Sequence, residues 1–261
     1  MDDAEREDVT STPREVVVHR LTGSPGHRLA LWAAWAVHLY TALGAVCGFG
    51  AVVATVQADY RRAFLWMVVA TIIDATDGVL ARAANVKERL PGFDGARLDD
   101  IVDYLTYVFA PVFLLHHASA LPAEWGVAVC AVVLLSSAYG FASTDAKSDD
   151  YFFTGFPSYW NVVAIYLIAA GLPPGINATI LLVLSVLVFV RIGYVYPSRT
   201  PVLRGLTTAL AAIWALMVLA IIVKMPDVPR SLLLASLFFP VYYAVLSLVL
   251  HSRRRSMRPG R

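Results

Sequence analysis

Ile73-Asp74-Ala75-Thr76-Asp77-Gly78-Val79-Leu80-Ala81-Arg82 is followed, after the twelve residues 83–94, by Gly95-Ala96-Arg97-Leu98-Asp99-Asp100-Ile101-Val102-Asp103. The first stretch closes an apolar run over 62–82, and the second opens another over 96–117. Residues at i, i+3, i+4, i+7 and i+8 share one face of an α-helix. Asp74, Asp77, Gly78, Ala81 and Arg82 have that spacing, and Gly95, Asp99 and Asp103 stand at i, i+4 and i+8. Each helix therefore presents two carboxylates on a stripe that also carries small residues. Asp100 points off the stripe and reads as a loop-end or supporting residue.

Around this pair the chain is apolar. Of its 261 residues, 58% are hydrophobic and 15% charged, whereas a soluble domain carries about 25% charge. Runs of about 20 apolar residues, each enough to cross about 30 Å of hydrocarbon, recur along nearly the whole length. The expected fold class is all-α, a polytopic transmembrane helical bundle of about eight spans. The spans run roughly over 29–56, 62–82, 96–117, 123–143, 158–171, 176–196, 203–224 and 229–251. Pro91-Gly92, Pro122, Pro157, Pro173-Pro174, Pro201 and Pro229 punctuate the connections. The expected division is an N-terminal arm over 1–28, a membrane domain over 29–251 and a basic tail over 252–261. The arm is polar and mixed in charge, without the apolar core of a signal peptide. Cys47 and Cys130 lie inside apolar runs and read as small core residues, not as a disulfide or a thiolate metal site.

The arginines and lysines orient the bundle. With both termini cytoplasmic, the inner segments hold Arg6, Arg14, Arg20 and Arg28; Arg82, Lys87, Arg89 and Arg97; Lys147; Arg191, Arg199 and Arg204; and the five C-terminal arginines. These are seventeen of the twenty-one basic residues. Arg61, Arg62, Lys224 and Arg230 fall outside. The tail arginines read first as topology anchors and second as a contact for anionic lipid. In this orientation Asp74 lies eight residues before Arg82, and Asp103 eight residues after Gly95. At 1.5 Å per residue both are about 12 Å deep, so the two pairs can meet beneath the cytosolic rim.

A charged residue at mid-membrane costs about 2.5–3.5 kcal/mol or more, and four close carboxylates repel one another. One or two divalent cations remove both penalties. Oxygen donors without thiolates or several imidazoles select Mg²⁺ or Mn²⁺ over Zn²⁺. Such ions hold a diphosphate and stabilise charge on a leaving phosphate. A polar interhelical cluster or a proton relay is the plain alternative. Four acids at this spacing, followed by a helix-end arginine, favour the metal site.

The pattern Asp74-x2-Asp77-Gly78-x2-Ala81-Arg82, then Gly95-x3-Asp99-x3-Asp103, resembles the signature of the CDP-alcohol phosphotransferases. Eight fixed positions in one short stretch make it a specific match. The twelve-residue connection 83–94 is longer than in most members and resembles the bacterial phosphatidylcholine synthase branch. So do Leu98-Asp99-Asp100-Ile101-Val102-Asp103-Tyr104 and Phe153-Thr154-Gly155-Phe156-Pro157-Ser158-Tyr159-Trp160-Asn161. The likeness covers about 29–250. It implies transfer of the phosphatidyl group of CDP-diacylglycerol to choline, with CMP released. It also implies that Asp74, Asp77, Asp99 and Asp103 share two divalent ions, and that Asp103 is the general base on the incoming hydroxyl. Gly78 and Ala81 would let the nucleotide diphosphate approach, Arg82 would pair with a phosphate, and Gly95 would keep the facing helix clear. Thr41, within His38-Leu39-Tyr40-Thr41-Ala42, resembles a threonine that the family has near the nucleotide. The family usually forms homodimers, and the expected location is the bacterial inner membrane with the site facing the cytoplasm.

Choline is a quaternary ammonium that offers no N–H donor, and such groups are held on aromatic faces at about 0.5–2 kcal/mol each. Phe156, Tyr159, Trp160 and Asn161 form an aromatic-dense segment on the expected cytosolic side, and Tyr104 and Tyr107 follow Asp103. An interfacial aromatic belt is the plainer reading of the same segment. Asp145, Asp149 and Asp150 read as a solvated loop, His38 as a satisfied interhelical residue, and Arg191, Arg199 and Arg204 as topology markers or lipid-phosphate contacts. Phosphatidylserine synthase, or another CDP-diacylglycerol-dependent transferase, is the alternative within the class. Serine would want a cationic partner for its carboxylate. An ion-coupled transporter is the alternative outside it, but transporters show broken helices in two halves, and only one aspartate cluster is present here. Membrane lipid is an expected partner and nucleic acid is not.

Overall fold

The computed structural model describes residues 25–143, 152–190, 192–195 and 203–257. Most of the N-terminal arm, the acidic positions Asp145, Asp149 and Asp150, the basic positions Lys147, Arg191 and Arg199, and the terminal Arg258 and Arg261 lie outside these ranges.

Helix α1 (Pro25–Val56) turns through three residues into α2 (Tyr60–Ala83). Asp59 caps α2, its side chain accepting the Arg62 backbone N–H at 3.0 Å. Such a cap satisfies one of the unpaired amides at a helix start. The twelve-residue connection then folds back as a one-turn helix, α3 (Val86–Arg89), entered through Asn85 at φ 46°. Helix α4 (Gly95–Asp103) starts on Asp94, whose carboxylate accepts from the Arg97 amide at 3.2 Å and pairs with its guanidinium at 3.0 Å. The same helix continues through a π-helical turn, Tyr104–Phe109, into α5 (Ala110–His117).

The second half holds α6 (Gly126–Ala142), α7 (Trp160–Ala170), α8 (Pro174–Phe189), α9 (Arg204–Lys224), α10 (Arg230–Ser236) and α11 (Phe238–Met257). Helix therefore occurs at every place where a span is expected. Among the described residues the architecture is helical apart from one antiparallel pairing, in which β1 (Phe152–Thr154) runs against β2 (Gly193–Val195). Gly155 follows β1 at φ 84°, where an added Cβ would press on the Val188 carbonyl, so only glycine suits this corner.

Among the described residues four stretches are long and apolar enough to cross a bilayer: Gly26–Val56, Tyr60–Ala83, Gly205–Lys224 and Arg230–Leu250. Gly126–Ala142, Trp160–Ala170 and Pro174–Phe189 are apolar but shorter. The eleven residues of α7 cover about 16 Å at 1.5 Å per residue. Large apolar side chains point outward along the long helices, Trp32 at 73% and Phe49 at 69% exposure. In water so much exposed apolar surface would drive aggregation; in lipid it is solvated. The chain is a membrane protein.

Packing positions the site. Helix α1 lies along α2 on one side and along α4, the π turn and α5 on the other. Small residues let α1 and α4 approach closely. A Cβ on Gly44 would run into Val102, and one on Gly48 would come within 2.9 Å of Leu105. Close backbone approach over small residues is how helices associate in lipid, where no hydrophobic force drives them together. Helix α7 closes the group, packing on α2, the π turn and α5. The core beneath holds Phe64, Leu114, Leu115 and Trp160, all fully buried.

Candidate functional site

Helix α2 delivers Asp74 from its second half, and α4 delivers Asp99 from its middle and Asp103 as its last residue. The three half-buried side chains bring one carboxylate oxygen each within 4.8 Å of one another. Asp77 is not part of that group. It lies one turn further along α2, about 4.5 Å by helical rise, and is buried, with Thr41 Oγ1 of α1 donating to its Oδ2 at 2.8 Å. The four sequence-predicted aspartates therefore occupy one corner between α1, α2 and α4. Three converge, and the fourth is steadied from the neighbouring helix. Three hard anionic oxygens without sulfur or imidazole suit an oxygen-seeking divalent ion such as Mg²⁺ or Mn²⁺.

The predicted nucleotide residues divide. Gly78 has open space over it, and an added Cβ would meet only the Arg82 guanidinium, at 3.4 Å. Arg82 is exposed at the end of α2 and Ala81 is half-buried beside it. Thr41 faces Asp77. Gly95 is covered by α1, and a Cβ there would stand 2.6 Å from His38 Cε1. Gly95 thus makes room for an imidazole ring. His38 itself is a correction. It is buried, and its Nε2 has no hydrogen-bond partner among the described residues, so that nitrogen is not satisfied by a neighbouring helix. Its ring packs against Phe93 with centroids 4.4 Å apart, and Phe93 in turn meets Trp35 at 5.3 Å. Arg89 Nη1 donates to the Ala30 carbonyl at 3.4 Å. The long connection is therefore folded onto the start of α1. Nothing in the sequence pattern marks Phe93 for that contact.

The six predicted acceptor residues also divide. The Tyr107 hydroxyl donates to Asp74 Oδ2 at 2.8 Å, and its ring lies 6.4 Å from that of Tyr159. Trp160 is fully buried, donating its indole N–H to Ser137 Oγ at 2.7 Å, with Phe156 edge-on at 5.1 Å. Its ring faces are core and not open to a headgroup. Tyr104 turns away, donating to the Leu134 carbonyl at 3.0 Å and packing on Phe141. Asn161 is buried and donates to Thr71 Oγ1 of α2 at 3.4 Å, one turn before Asp74. It ties α7 to α2 and brings Tyr159, two residues earlier, towards the carboxylates.

The fold and site define a class: membrane proteins that carry, between their helices, a half-buried group of three carboxylates able to hold a metal ion. The curated relatives narrow it. The chain is 39% identical over 223 residues to the phosphatidylcholine synthase of Legionella pneumophila, covering 83% of this chain and 88% of that protein. It is 40% identical to that of Legionella bozemanae, over 78% of this chain and 97% of the relative. To that of Pseudomonas aeruginosa it is 38% identical, over 75% and 83%. No protein-family model matches the chain. The chain belongs to the phosphatidylcholine synthase family.

Proposed function

We propose that this protein is a CDP-diacylglycerol–choline O-phosphatidyltransferase, moving the phosphatidyl group to choline and releasing CMP. The observation that carries the reading is the convergence of Asp74, Asp99 and Asp103 within 4.8 Å, on the two helices that hold the family's motif. Asp74, Asp77, Asp99 and Asp103 would hold two divalent ions, Mg²⁺ or Mn²⁺. When bound, these neutralise the diphosphate and polarise the choline hydroxyl.

The chain's own residues then have distinct tasks. The open surface over Gly78 and Ala81 admits the nucleotide end of the donor, and Arg82 pairs with a phosphate oxygen through its planar guanidinium. Thr41 keeps Asp77 oriented. Asp103 removes the choline hydroxyl proton. The choline oxygen bonds to the lipid-side phosphorus, the anhydride P–O bond breaks, and CMP leaves with the electron pair. Asp103 would not need to be a strong base if an ion held by these carboxylates lowered the pKa of the hydroxyl. The Tyr107–Tyr159 pair offers aromatic faces to the ammonium beside Asp74. In this reading the bundle makes eight spans with both termini cytoplasmic, the carboxylates face the cytosolic side of a bacterial inner membrane, and the subunit pairs as a homodimer; the distribution of Lys and Arg supports the orientation.

The test is an acceptor panel. Purified protein with CDP-diacylglycerol, Mn²⁺ or Mg²⁺ and labelled choline yields labelled lipid and stoichiometric CMP. Product with serine or glycerol phosphate, and none with choline, would overturn the choline assignment.

A further inference from the structure

We propose that Tyr107 is a positioning residue that orients Asp74 through its hydroxyl while its ring forms one wall of the acceptor site. The proposal rests on the phosphatidyl-transfer reading above. It starts from a departure in helix geometry. After Asp103 the chain leaves α-helical bonding for a π turn over Tyr104–Phe109. On a regular α-helix each four-residue step overshoots a full turn by about 40°. Asp103 is therefore rotated that far from Asp99, and Tyr107 would be rotated about twice as far. A π turn bonds i to i+5 and holds more residues per turn, so the step from Asp103 to Tyr107 falls short of a full circle. The shortfall offsets the first overshoot and returns Tyr107 to the line of Asp99, facing α2.

There the phenol reaches Asp74 Oδ2 at 2.8 Å. A hydroxyl donating to a carboxylate is a charge-assisted bond, and held at one oxygen the carboxylate cannot rotate freely. The other end of the residue faces a different neighbour. Its ring centroid lies 6.4 Å from Tyr159, at 54° between planes. Tyr159 enters from the segment pinned by Gly155 N–H to the Ile192 carbonyl and by Phe156 N–H to the Leu187 carbonyl. One side chain thus touches a predicted ligand with its tip and borders the acceptor side with its body. A mere tie between helices would need only the first contact.

Substitution separates the two roles. The full chain in detergent is titrated with Mn²⁺ alone and followed by electron paramagnetic resonance, and the choline KM is measured in parallel. Tyr107→Phe keeps the ring and loses the donor. Loss of such an outer contact to a ligand costs about 10–100-fold in metal affinity, so Mn²⁺ binding weakens at least about tenfold with the choline KM nearly unchanged. Tyr159→Ala does the reverse, raising the choline KM about three- to tenfold, the size of one cation–π contact, with Mn²⁺ affinity retained. Wild-type Mn²⁺ affinity in Tyr107→Phe overturns the orienting role. An unchanged choline KM in Tyr159→Ala and Tyr107→Ala overturns the acceptor wall. If the wild-type protein transfers to no acceptor at all, it is the transfer reading that fails.

Discussion

Two groups of hydrogen bonds, one in each half of the chain, are built from similar side chains and end differently. In the second half, Trp214 Nε1 donates to Tyr166 Oη at 3.0 Å, Tyr166 donates to Ser236 Oγ at 2.8 Å, and Ser236 donates to the Leu233 carbonyl at 2.7 Å. That chain closes on backbone and joins α9, α7 and α10. At the α1–α2–α4 corner, Thr41 and Tyr107 donate instead to Asp77 and Asp74. These chains end on carboxylates that stand close to further carboxylates. Polar groups in lipid must be satisfied, and a closed chain does so at little cost. A cluster of acids carries repulsion that a bound cation or a proton relieves, so the bonds to carboxylates mark the candidate site and the chain that closes on backbone marks assembly.

That contrast can be broken by substitution. The largest effect falls on Asp103→Asn, which keeps size and packing and removes base and ligand together. Turnover drops about 10³-fold or more, within or beyond the range of general-base catalysis, while size-exclusion and circular dichroism profiles stay those of the wild type. Substantial residual turnover would remove Asp103 from the mechanism. Next is Thr41→Val, which deletes the donor to Asp77 at constant volume. Initial rates fall about tenfold, in the range for contacts that orient metal ligands, and added Mn²⁺ restores part of the loss. A rate unaffected at limiting metal would make Thr41 a packing residue. The smallest effect is Tyr166→Phe in the closed chain. Interhelical hydrogen bonds in membranes average about 0.6 kcal/mol, so the thermal midpoint falls slightly and the choline and CDP-diacylglycerol KM values hold. A kinetic defect in that variant would erase the distinction between the two ends.

The carboxylate corner was legible because helix periodicity is a local rule. Asp74 and Asp77, and Asp99 and Asp103, share faces by count alone, and the apolar runs around them leave only helix as a membrane conformation. Span number is less legible, since α6, α7 and α8 are apolar but shorter than the length that crosses a bilayer. The aromatic segment divides between core and site. Trp160 and Tyr159 are neighbours in sequence, yet one is sealed on Ser137 and the other borders Tyr107. Adjacent helix-start residues point about 100° apart, and composition carries no record of which direction meets core. Tyr107 carried a weaker signal, standing four residues beyond Asp103, where a regular helix would rotate it about 80° from Asp99.

By itself the sequence determined the membrane bundle, the two acid-bearing helices and the family, because hydrophobicity and the 3.6-residue period act over a single helix. Only the tertiary structure decided that three aspartates converge while Asp77 is held by Thr41. It also decided that Gly95 seats His38, and that a π turn aims Tyr107 at Asp74. Each of these depends on the distance and rotation between separate helices, which close packing across Gly44 and Gly48 sets and no single helix encodes.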